Sequence, residues 1–330
     1  MEKASSGEQQ LLQSFQWEQF QNRMGKETFR FGDKHISGLC IEEEIPLVGK
    51  YAYCPRGPRL HIASKEIFQE EEMHNLLKEV LGRDCFWLRI EPENKEILEK
   101  IQEKLPKEVA LVLAPKNIQP QEILVMDISK TEEEIFTAMK AKTRYNIRLA
   151  EKKGVHIVET REEKYQNIFF DLIQATAKRA NIKTHSCEYY RKMFSVFDEK
   201  KLQLYVALRE NTVLAINMIM IQKDCAIYLH GGSSNEQRNC MAPFLLHWKT
   251  IQNMKRRGCI EYDFGGVSLS SKEKITQKKE GGDWEGITRF KTSFCPQEES
   301  IKFPGTYDII LNSKRYFFYT MLRKLRHIGK

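Results

Sequence analysis

The segment from residue 202 to residue 233 constrains the fold more than any other part of this sequence. It contains three runs rich in apolar and β-branched residues, at 202–209, 213–222 and 224–233. The runs are joined by very short polar turns, and such connections link neighbouring antiparallel strands. The sequence therefore predicts a three-stranded antiparallel meander, followed by a helix over 242–257 and a strand over 259–264.

The rest of the chain also alternates helices and strands, and its 330 residues predict about two domains. In the first third, apolar periodicity predicts helices over 11–24, 64–81 and 94–104 and strands over 29–31, 36–41, 47–53, 85–90 and 109–114. A second unit begins near Thr131, where a capping box with Glu134 opens a long helix that ends before Gly154. A strand over 155–159 and helices over 162–179 and 188–197 lead into the meander.

The order of meander, loop, helix and strand is that of N-acetyltransferase-like folds. We expect an α/β (α+β) protein made of tandem acetyltransferase (GNAT)-like domains with mixed, largely antiparallel sheets. Acetyltransferases hold the coenzyme A pyrophosphate on a loop of the pattern Arg/Gln-x-x-Gly-x-Gly/Ala. Here the loop reads Arg238-Asn239-Cys240-Met241-Ala242-Pro243, with Met241 and Pro243 at the glycine positions. The sequence predicts loss of the coenzyme A site, while spacing alone leaves open an ordinary capped helix in an unrelated α/β domain.

Composition and cysteine spacing exclude several classes of protein. The longest apolar stretch, 213–221, is far shorter than the ~20 residues that cross a bilayer. The N-terminal residues show no apolar secretory segment, and the eight cysteines form no Cys-x-x-Cys pair. We therefore expect a cytoplasmic protein with reduced thiols and no metal site. The net charge of +8 permits an anionic partner without requiring one.

An ordered set of segments resembles the FemABX family of aminoacyl-tRNA-dependent peptidyltransferases. The matching segments are LQSFQW at 12–17, YCPRGP at 53–58, RIEP at 89–92, TRYNIRLAEKKGV at 143–155, HGGSSN at 230–235, MAP at 241–243, YDFGG at 262–266, GITRFK at 286–291 and PGTYD at 304–308. They run over nearly the whole chain in the family's order. An ordered array of this kind is more specific than any single motif.

The resemblance implies a fold, a reaction and partners. Residues 1–130 with 305–330 would form the first acetyltransferase-like domain, with a returning C-terminal helix, and 131–304 the second. No coiled-coil arm is expected because helices 162–179 and 188–197 lie so close in sequence, as in the compact FemX type. The reaction would move an amino acid from aminoacyl-tRNA to the side-chain amine of a peptidoglycan precursor, in cell-wall biogenesis. The acceptor would be a UDP-linked or lipid-linked muramyl peptide, the enzyme a monomer, and no cofactor would be needed.

The family's Phe-Lys pair corresponds to Phe290 and Lys291, and the resemblance assigns them the catalytic position. Aminolysis of an ester passes through an oxyanion, which an enclosed lysine ammonium can stabilise. The alternative for Lys291 is a surface lysine on a strand edge. No pair of residues stands out as a general base, and Asp263, beside Gly265-Gly266, is more typical of a turn residue.

Several residues are candidates for holding the anionic precursor. Arg56 suits bidentate contact with phosphate or carboxylate, and its alternative is a turn arginine salt-bridged within the first domain. Tyr53 of the same YCPRGP motif is a further candidate. Arg238, the arginine that the chain retains from the acetyltransferase loop pattern, is another. At three positions of this site the chain departs from residues common in the family: Gln21, His61 and Phe244. The reaction class is therefore better founded than the identity of the precursor.

Three basic clusters are candidates for contact with polyanions. Lys140, Arg144, Arg148 and Lys152 recur every four residues and predict a tRNA-binding helix face, although a helix dipole with Glu132–Glu134 at its start would favour the same arrangement. Lys272, Lys274, Lys278 and Lys279 predict a basic loop. The tail, 312–330, is basic, with Phe317, Met321, Leu325 and Ile328 on one helical face. The tail helix would either pack on the first domain or make peripheral contact with the inner membrane surface.

Two other functions remain open from the sequence. A coenzyme A-dependent N-acyltransferase is disfavoured by Met241 and Pro243. A non-catalytic RNA-binding protein of the same fold would account for the basic stripe alone. The amino acid delivered is not encoded in any motif.

Overall fold

The computed structural model describes residues 7–61, 68–180, 183–268 and 284–328. The chain divides into two compact units, one made of 1–121 with 302–330 and the other of 122–301. The sequence placed these boundaries at 130/131 and 304/305. The first boundary lies earlier because the apolar run Glu122–Asp127 forms a strand that pairs within the second unit.

The described residues of the first unit contain seven strands and five helices. Its helices are α1 (Gly7–Leu12), α2 (Phe15–Arg23), α3 (Glu70–Gly82), α4 (Lys95–Lys104) and α11 (Ser313–Ile328). Its strands are β1 (Thr28–Gly32), β2 (Ile36–Ile45), β3 (Gly49–Cys54), β4 (Arg59–Leu60), β5 (Cys85–Ile90), β6 (Ala110–Leu113) and β14 (Tyr307–Ile310). The predicted helix over 11–24 is therefore two helices, because Ser14 caps a new one by accepting from Trp17 N.

The end of the chain completes the first sheet. Its strand order is β1-β2-β3-β5-β14-β6, with β4 beside β2, and β14 is antiparallel to both β5 and β6. A buried bidentate ion pair joins β5 to β14, with Arg89 Nε and Nη2 donating to the Asp308 carboxylate at 2.7 and 2.8 Å. The chain thus returns to the first unit as a central strand as well as a helix.

The two faces of this sheet carry separate apolar clusters. Alternation along β3 sends Ala52 to one face, with α3 and α4, and Tyr51 to the other, with α11. On the α11 face, Trp87 stacks between the rings of Tyr51 and Tyr319, at centroid distances of 4.8 and 5.1 Å. The tail helix is therefore held by a buried aromatic stack.

The second unit contains the predicted meander. Its helices are α5 (Glu132–Ala138), α6 (Ala141–Lys152), α7 (Glu163–Ala180), α8 (Cys187–Val196), α9 (Ala242–Arg256) and α10 (Trp284–Thr292), with a 3₁₀ turn at Arg238–Cys240. Its strands are β7 (Glu122–Asp127), β8 (Val155–Thr160), β9 (Leu202–Arg209), β10 (Thr212–Gln222), β11 (Cys225–Ser233), β12 (Glu261–Gly266) and β13 (Ile301–Lys302), at whose end the chain passes back to the first unit.

The strand order of the second sheet is β13-β7-β12-β11-β10-β9-β8. β9, β10 and β11 pair antiparallel, which confirms the meander. β12 is parallel to β11, but the paired positions stop at Ile227 and Asp263. Both strands continue beyond that point, and this unpaired stretch of β11 and β12 is the gap between them.

The predicted long helix from Thr131 is wrong, because the chain breaks into α5 and α6 at Met139, whose ψ of 153° is extended. The capping box of Thr131 and Glu134 is present. A distant segment stabilises the break between α5 and α6, because Lys140 N and Thr143 Oγ1 both donate to the Ser293 carbonyl.

All eight cysteines are unpaired thiols, and all but Cys187 are buried. Within the described residues, no helix combines the length and apolar character needed to cross a membrane.

Candidate active site

Lys291 lies at the gap between β11 and β12. Its side chain comes from α10, is only 8% exposed, and donates from Nζ to the Gly266 carbonyl at 2.7 Å. The same Nζ is 5.8 Å from the centroid of the Tyr228 ring on β11. Lys291 is therefore a buried helical residue beside the unpaired ends of β11 and β12, and the strand-edge alternative is wrong.

The end of β12 turns sharply beside this ammonium. Gly265 has a φ of +70°, the left-handed region that glycine adopts readily, and the carboxylate of fully buried Asp263 accepts from Gly265 N at 2.7 Å. A Cβ at Gly265 would lie 3.9 Å from Lys291 Nζ. Asp263 thus holds the turn, as its turn-residue interpretation predicts.

A buried polar chain runs behind the lysine through His247 of α9. Asn217 Nδ2 lies 3.3 Å from His247 Nε2, and His247 Nδ1 lies 3.0 Å from the Tyr262 hydroxyl. Because the amide nitrogen can only donate, His247 accepts at Nε2 and carries its proton at Nδ1. Burial, with a further contribution from the Lys291 charge, lowers the pKa of His247 to about 3. The site therefore holds one ammonium beside a neutral imidazole.

Aromatic rings enclose this polar centre. Phe290, Phe294 and Phe264 all have ring centroids within 5.5 Å of the His247 ring. Phe244 packs on Phe290 at 4.9 Å. The structure thus brings together Lys291, Phe290 and Phe244 of the predicted site residues. In such an apolar surround a fixed ammonium interacts strongly with a developing negative charge.

Tyr228 approaches the backbone of its own strand closely. A Cβ at Gly231 would collide with the Tyr228 hydroxyl and with Asn217 Oδ1. Burial raises the pKa of Tyr228, so its phenol stays protonated. Gly231 therefore leaves the space that the Tyr228 ring occupies beside Lys291.

The loop at the acetyltransferase cofactor position is closed by its own hydrogen bonds. Met241 N donates to the Arg238 carbonyl, Cys240 N to Gln237, and Phe244 N to Met241. Met241 stands at a glycine position of the motif and keeps a left-handed φ of +55°. The Arg238 side chain is exposed. Amides that would face a pyrophosphate are thus already used within the loop.

In the first unit, the Glu91 carboxylate forms hydrogen bonds with residues of the YCPRGP segment. Its buried carboxylate accepts from Tyr53 Oη at 2.8 Å, Gln119 N at 2.9 Å and Thr306 Oγ1 at 2.9 Å. Arg56 N also donates to it, at 3.2 Å. Burial raises the pKa of Tyr53 well above its usual range. Tyr53 therefore acts here as a neutral donor.

The Arg56 guanidinium is engaged within the first unit. It is 2% exposed, donates to Glu8 and to the Pro120 carbonyl at 2.8 Å each, and lies 3.7 Å from the Phe303 ring centroid. Arg56 is therefore salt-bridged within the first unit, which is the alternative that the sequence left open. Its role in binding the precursor stays a prediction. His61 is exposed and contacts Ser37 Oγ at 2.8 Å. Gln21 is half-buried and lies in α2. Neither residue is among the described hydrogen-bond partners of Glu91.

The basic stripe is divided by the break between α5 and α6. Lys140 is the N-cap of α6, and the Arg144 guanidinium donates to the carbonyls of Thr137 and Met139. Arg148 lies 5.2 Å from the Phe136 ring centroid, whereas Lys152 is exposed in the last turn of α6. The helix-dipole explanation is wrong because Glu132–Glu134 belong to α5. The lysine loop at 272–279 lies outside the described residues.

Sequence reasoning did not single out His247, Tyr228 or Tyr262. One signal was present, because Asn217 is a polar residue inside the longest apolar run, and a buried amide needs a partner. In the part of the chain that is described, no group of three His, Cys, Asp or Glu side chains is arranged to hold a metal ion.

Comparison with known proteins finds a matching family model and relatives of related names. The model of the FemAB family matches residues 110–210 and 208–324. An alanyltransferase of Weissella viridescens, named for UDP-N-acetylmuramoylpentapeptide-lysine, is 24% identical over 237 residues, which is 69% of this chain and 70% of the relative. A lipid II:glycine glycyltransferase of Staphylococcus saprophyticus is 21% identical over 62% of each chain.

A crystal structure of FemX superposes with a TM-score of 0.74 at 17% identity, covering 93% of this chain and 94% of that one. The predicted resemblance, the α/β fold class with mixed sheets and the Fem-type acyltransferase class are confirmed. The chain belongs to the FemAB family.

Proposed function

We propose that this protein transfers an amino acid from aminoacyl-tRNA to the side-chain amine of a peptidoglycan precursor stem peptide. The names of two relatives support the acceptor class, since one acts on a UDP-linked muramoylpentapeptide lysine and the other on lipid II. Aminoacyl-tRNA as donor supplies an activated ester without a cofactor. We further propose a monomer that works in the cytoplasm, where charged tRNA is made.

The observation that carries the proposal is the buried Lys291 ammonium at the gap between β11 and β12. In the proposed reaction the acceptor amine attacks the ester carbonyl, and the carbonyl oxygen becomes an oxyanion. Lys291 stabilises that charge, and the C–O bond to the tRNA ribose then breaks. The amine loses a proton and the ribose oxygen gains one. We assign no side chain to this proton transfer.

The neutral state of His247 supports the role of Lys291. A protonated imidazole beside Lys291 would compete for any nearby negative charge, and burial prevents it. Phe290 and Phe244 exclude water from the same region. The Lys291 ammonium, fixed in position by its bond to the Gly266 carbonyl, then stabilises the oxyanion.

A coenzyme A-dependent acyltransferase fits less well. The loop amides of Cys240, Met241 and Phe244 bond to carbonyls of the same loop, and Pro243 has no amide hydrogen. A pyrophosphate would have to displace these bonds. We therefore propose that no coenzyme A is bound.

Single-turnover transfer tests the proposal. A panel of aminoacyl-tRNAs, each carrying a labelled amino acid, is offered with UDP-linked and lipid-linked lysine-containing muramyl peptides. We expect transfer to at least one acceptor, and at least about a tenfold slower rate for Lys291→Met, equivalent to about 1.4 kcal/mol in the barrier. Arg289→Met is the matched control because Arg289 is exposed on the same helix.

The outcomes separate the parts of the proposal. No transfer by the wild-type protein to either acceptor would contradict the function itself. Equal rates for wild type and Lys291→Met would remove the oxyanion role while leaving the function intact. Tight binding of acetyl-coenzyme A in calorimetry would favour the acyltransferase alternative.

A further inference from the structure

The tail helix α11 presents two different faces. Its inner face packs on the first sheet through Tyr316 and Tyr319, whose rings lie 5.5 and 5.1 Å from that of Trp87. This contact fixes the rotation of the helix about its axis. The residues that point away from the sheet are therefore determined by the packing of the others.

The outer face carries a continuous apolar stripe. Phe317, Met321 and Leu325 recur every four residues and are 70%, 38% and 58% exposed. Single exposed apolar residues are ordinary, but three in line on one helix form a patch. Packing on the first unit does not explain these side chains, because they lie outside the Trp87 cluster.

Positive charge flanks this stripe. Lys314 and Lys324 are exposed, and no acidic residue follows Asp308 in the sequence. An apolar stripe with a basic border is complementary to an anionic lipid surface, where acyl chains lie below negative headgroups.

Leu47 adds a second apolar element at the start of the helix. It sits in the turn between β2 and β3, is 82% exposed, and has a φ of +70°. Leucine is disfavoured in that conformation and gains nothing from solvent exposure. The adjacent Val48 carbonyl accepts from Arg315 of α11 at 3.2 Å, which holds the turn beside the first turn of the helix.

We propose that the outer face of α11, with Leu47 beside it, docks on the surface of an anionic lipid bilayer. The helix lies in the headgroup region with Phe317, Met321 and Leu325 toward the acyl chains. This inference goes beyond the proposed function and does not depend on it. It would, however, bring the protein to the surface at which a lipid-linked acceptor is found.

Vesicle co-sedimentation of the full chain tests the docking. The probe is vesicles of equal parts phosphatidylcholine and phosphatidylglycerol, compared with phosphatidylcholine alone. We expect binding to the anionic vesicles that falls as salt rises, and at least about a tenfold loss of affinity for the combined variant Phe317→Gln, Met321→Gln, Leu325→Gln. Leu81→Gln is the control, because Leu81 is an exposed leucine on α3, which packs on the opposite sheet face.

Two further variants separate docking from folding. Lys314→Gln with Lys324→Gln should reduce the salt dependence. Leu47→Asn should weaken vesicle binding while keeping or raising stability, since asparagine tolerates a positive φ. Wild-type protein that stays unbound, or a triple variant that binds as well as wild type, would overturn the proposal. A concentration-dependent dimer abolished by the triple variant would assign the face to a second copy instead, and would also overturn it.

Discussion

At the residue scale, the candidate site contains a histidine that burial keeps neutral. The Phe-Lys pair of the GITRFK segment was predicted from the sequence, and the structure buries Lys291. The partners of His247 could not be predicted, because Asn217 lies thirty residues before it and Tyr262 fifteen residues after it. Only folding brings the three together, between β10, α9 and β12.

The pKa of His247 makes stability depend on pH in a defined direction. Burial and the Lys291 charge lower it from an ordinary 6.5 to about 3 in the native state. Between these values the unfolded chain binds a proton that the native protein does not. The free energy of unfolding therefore falls as pH drops below about 6.5, by up to about 1.4 kcal/mol per pH unit from this residue, until the pH reaches about 3.

His247→Gln should remove this contribution. We expect urea unfolding between neutral and mildly acidic pH to show a smaller loss of stability on acidification than in wild type, by about 1 kcal/mol per pH unit. His156→Gln, at an exposed position of the same unit, controls for the loss of a histidine. An unchanged pH dependence in His247→Gln would mean that His247 is not the buried neutral group described.

At the scale of elements, the structure divides the basic stripe that was predicted to bind tRNA. The four-residue spacing was read from the sequence as one helix face, but Ser293, 150 residues from Thr143, breaks the helix in two. No local pattern could reveal that contact. The Arg144 guanidinium stabilises the break because it donates to the carbonyls of Thr137 and Met139. The Lys152 side chain, in contrast, is exposed.

The basic residues should therefore separate into two groups. We expect Lys140→Gln and Lys152→Gln each to weaken binding of uncharged tRNA and to lower the slope of log affinity against log salt by about 1, without changing stability. Arg144→Gln should lower the free energy of unfolding by about 1–2 kcal/mol, because the carbonyls of Thr137 and Met139 lose a charged donor. Filter binding over a salt series and urea unfolding measure the two effects. Unchanged tRNA binding by both lysine variants would exclude these residues from the RNA surface.

At the scale of the whole molecule, the sequence predicted two units and a returning C-terminal helix. It did not predict β7 or β14. β14 has only four residues, too few for a clear periodicity, whereas β7 is an apolar run as long as the predicted β5 and was missed. β14 lies between β5 and β6, so the first unit is made from both ends of the chain, while 122–301 is continuous. Each unit has its own apolar clusters.

The Arg89–Asp308 pair tests whether the units unfold separately. Asp308 is fully buried, pairs with Arg89 and accepts from the Tyr316 hydroxyl at 2.8 Å. Asp308→Ala leaves the buried Arg89 charge without its partner, which costs about 3–5 kcal/mol. Hydrogen exchange should then show lost protection in β5 and β14, with β9 and β10 as in wild type. Asp171→Ala, at an exposed position of α7, is the control, and equal loss of protection in both sheets would show one cooperative unit.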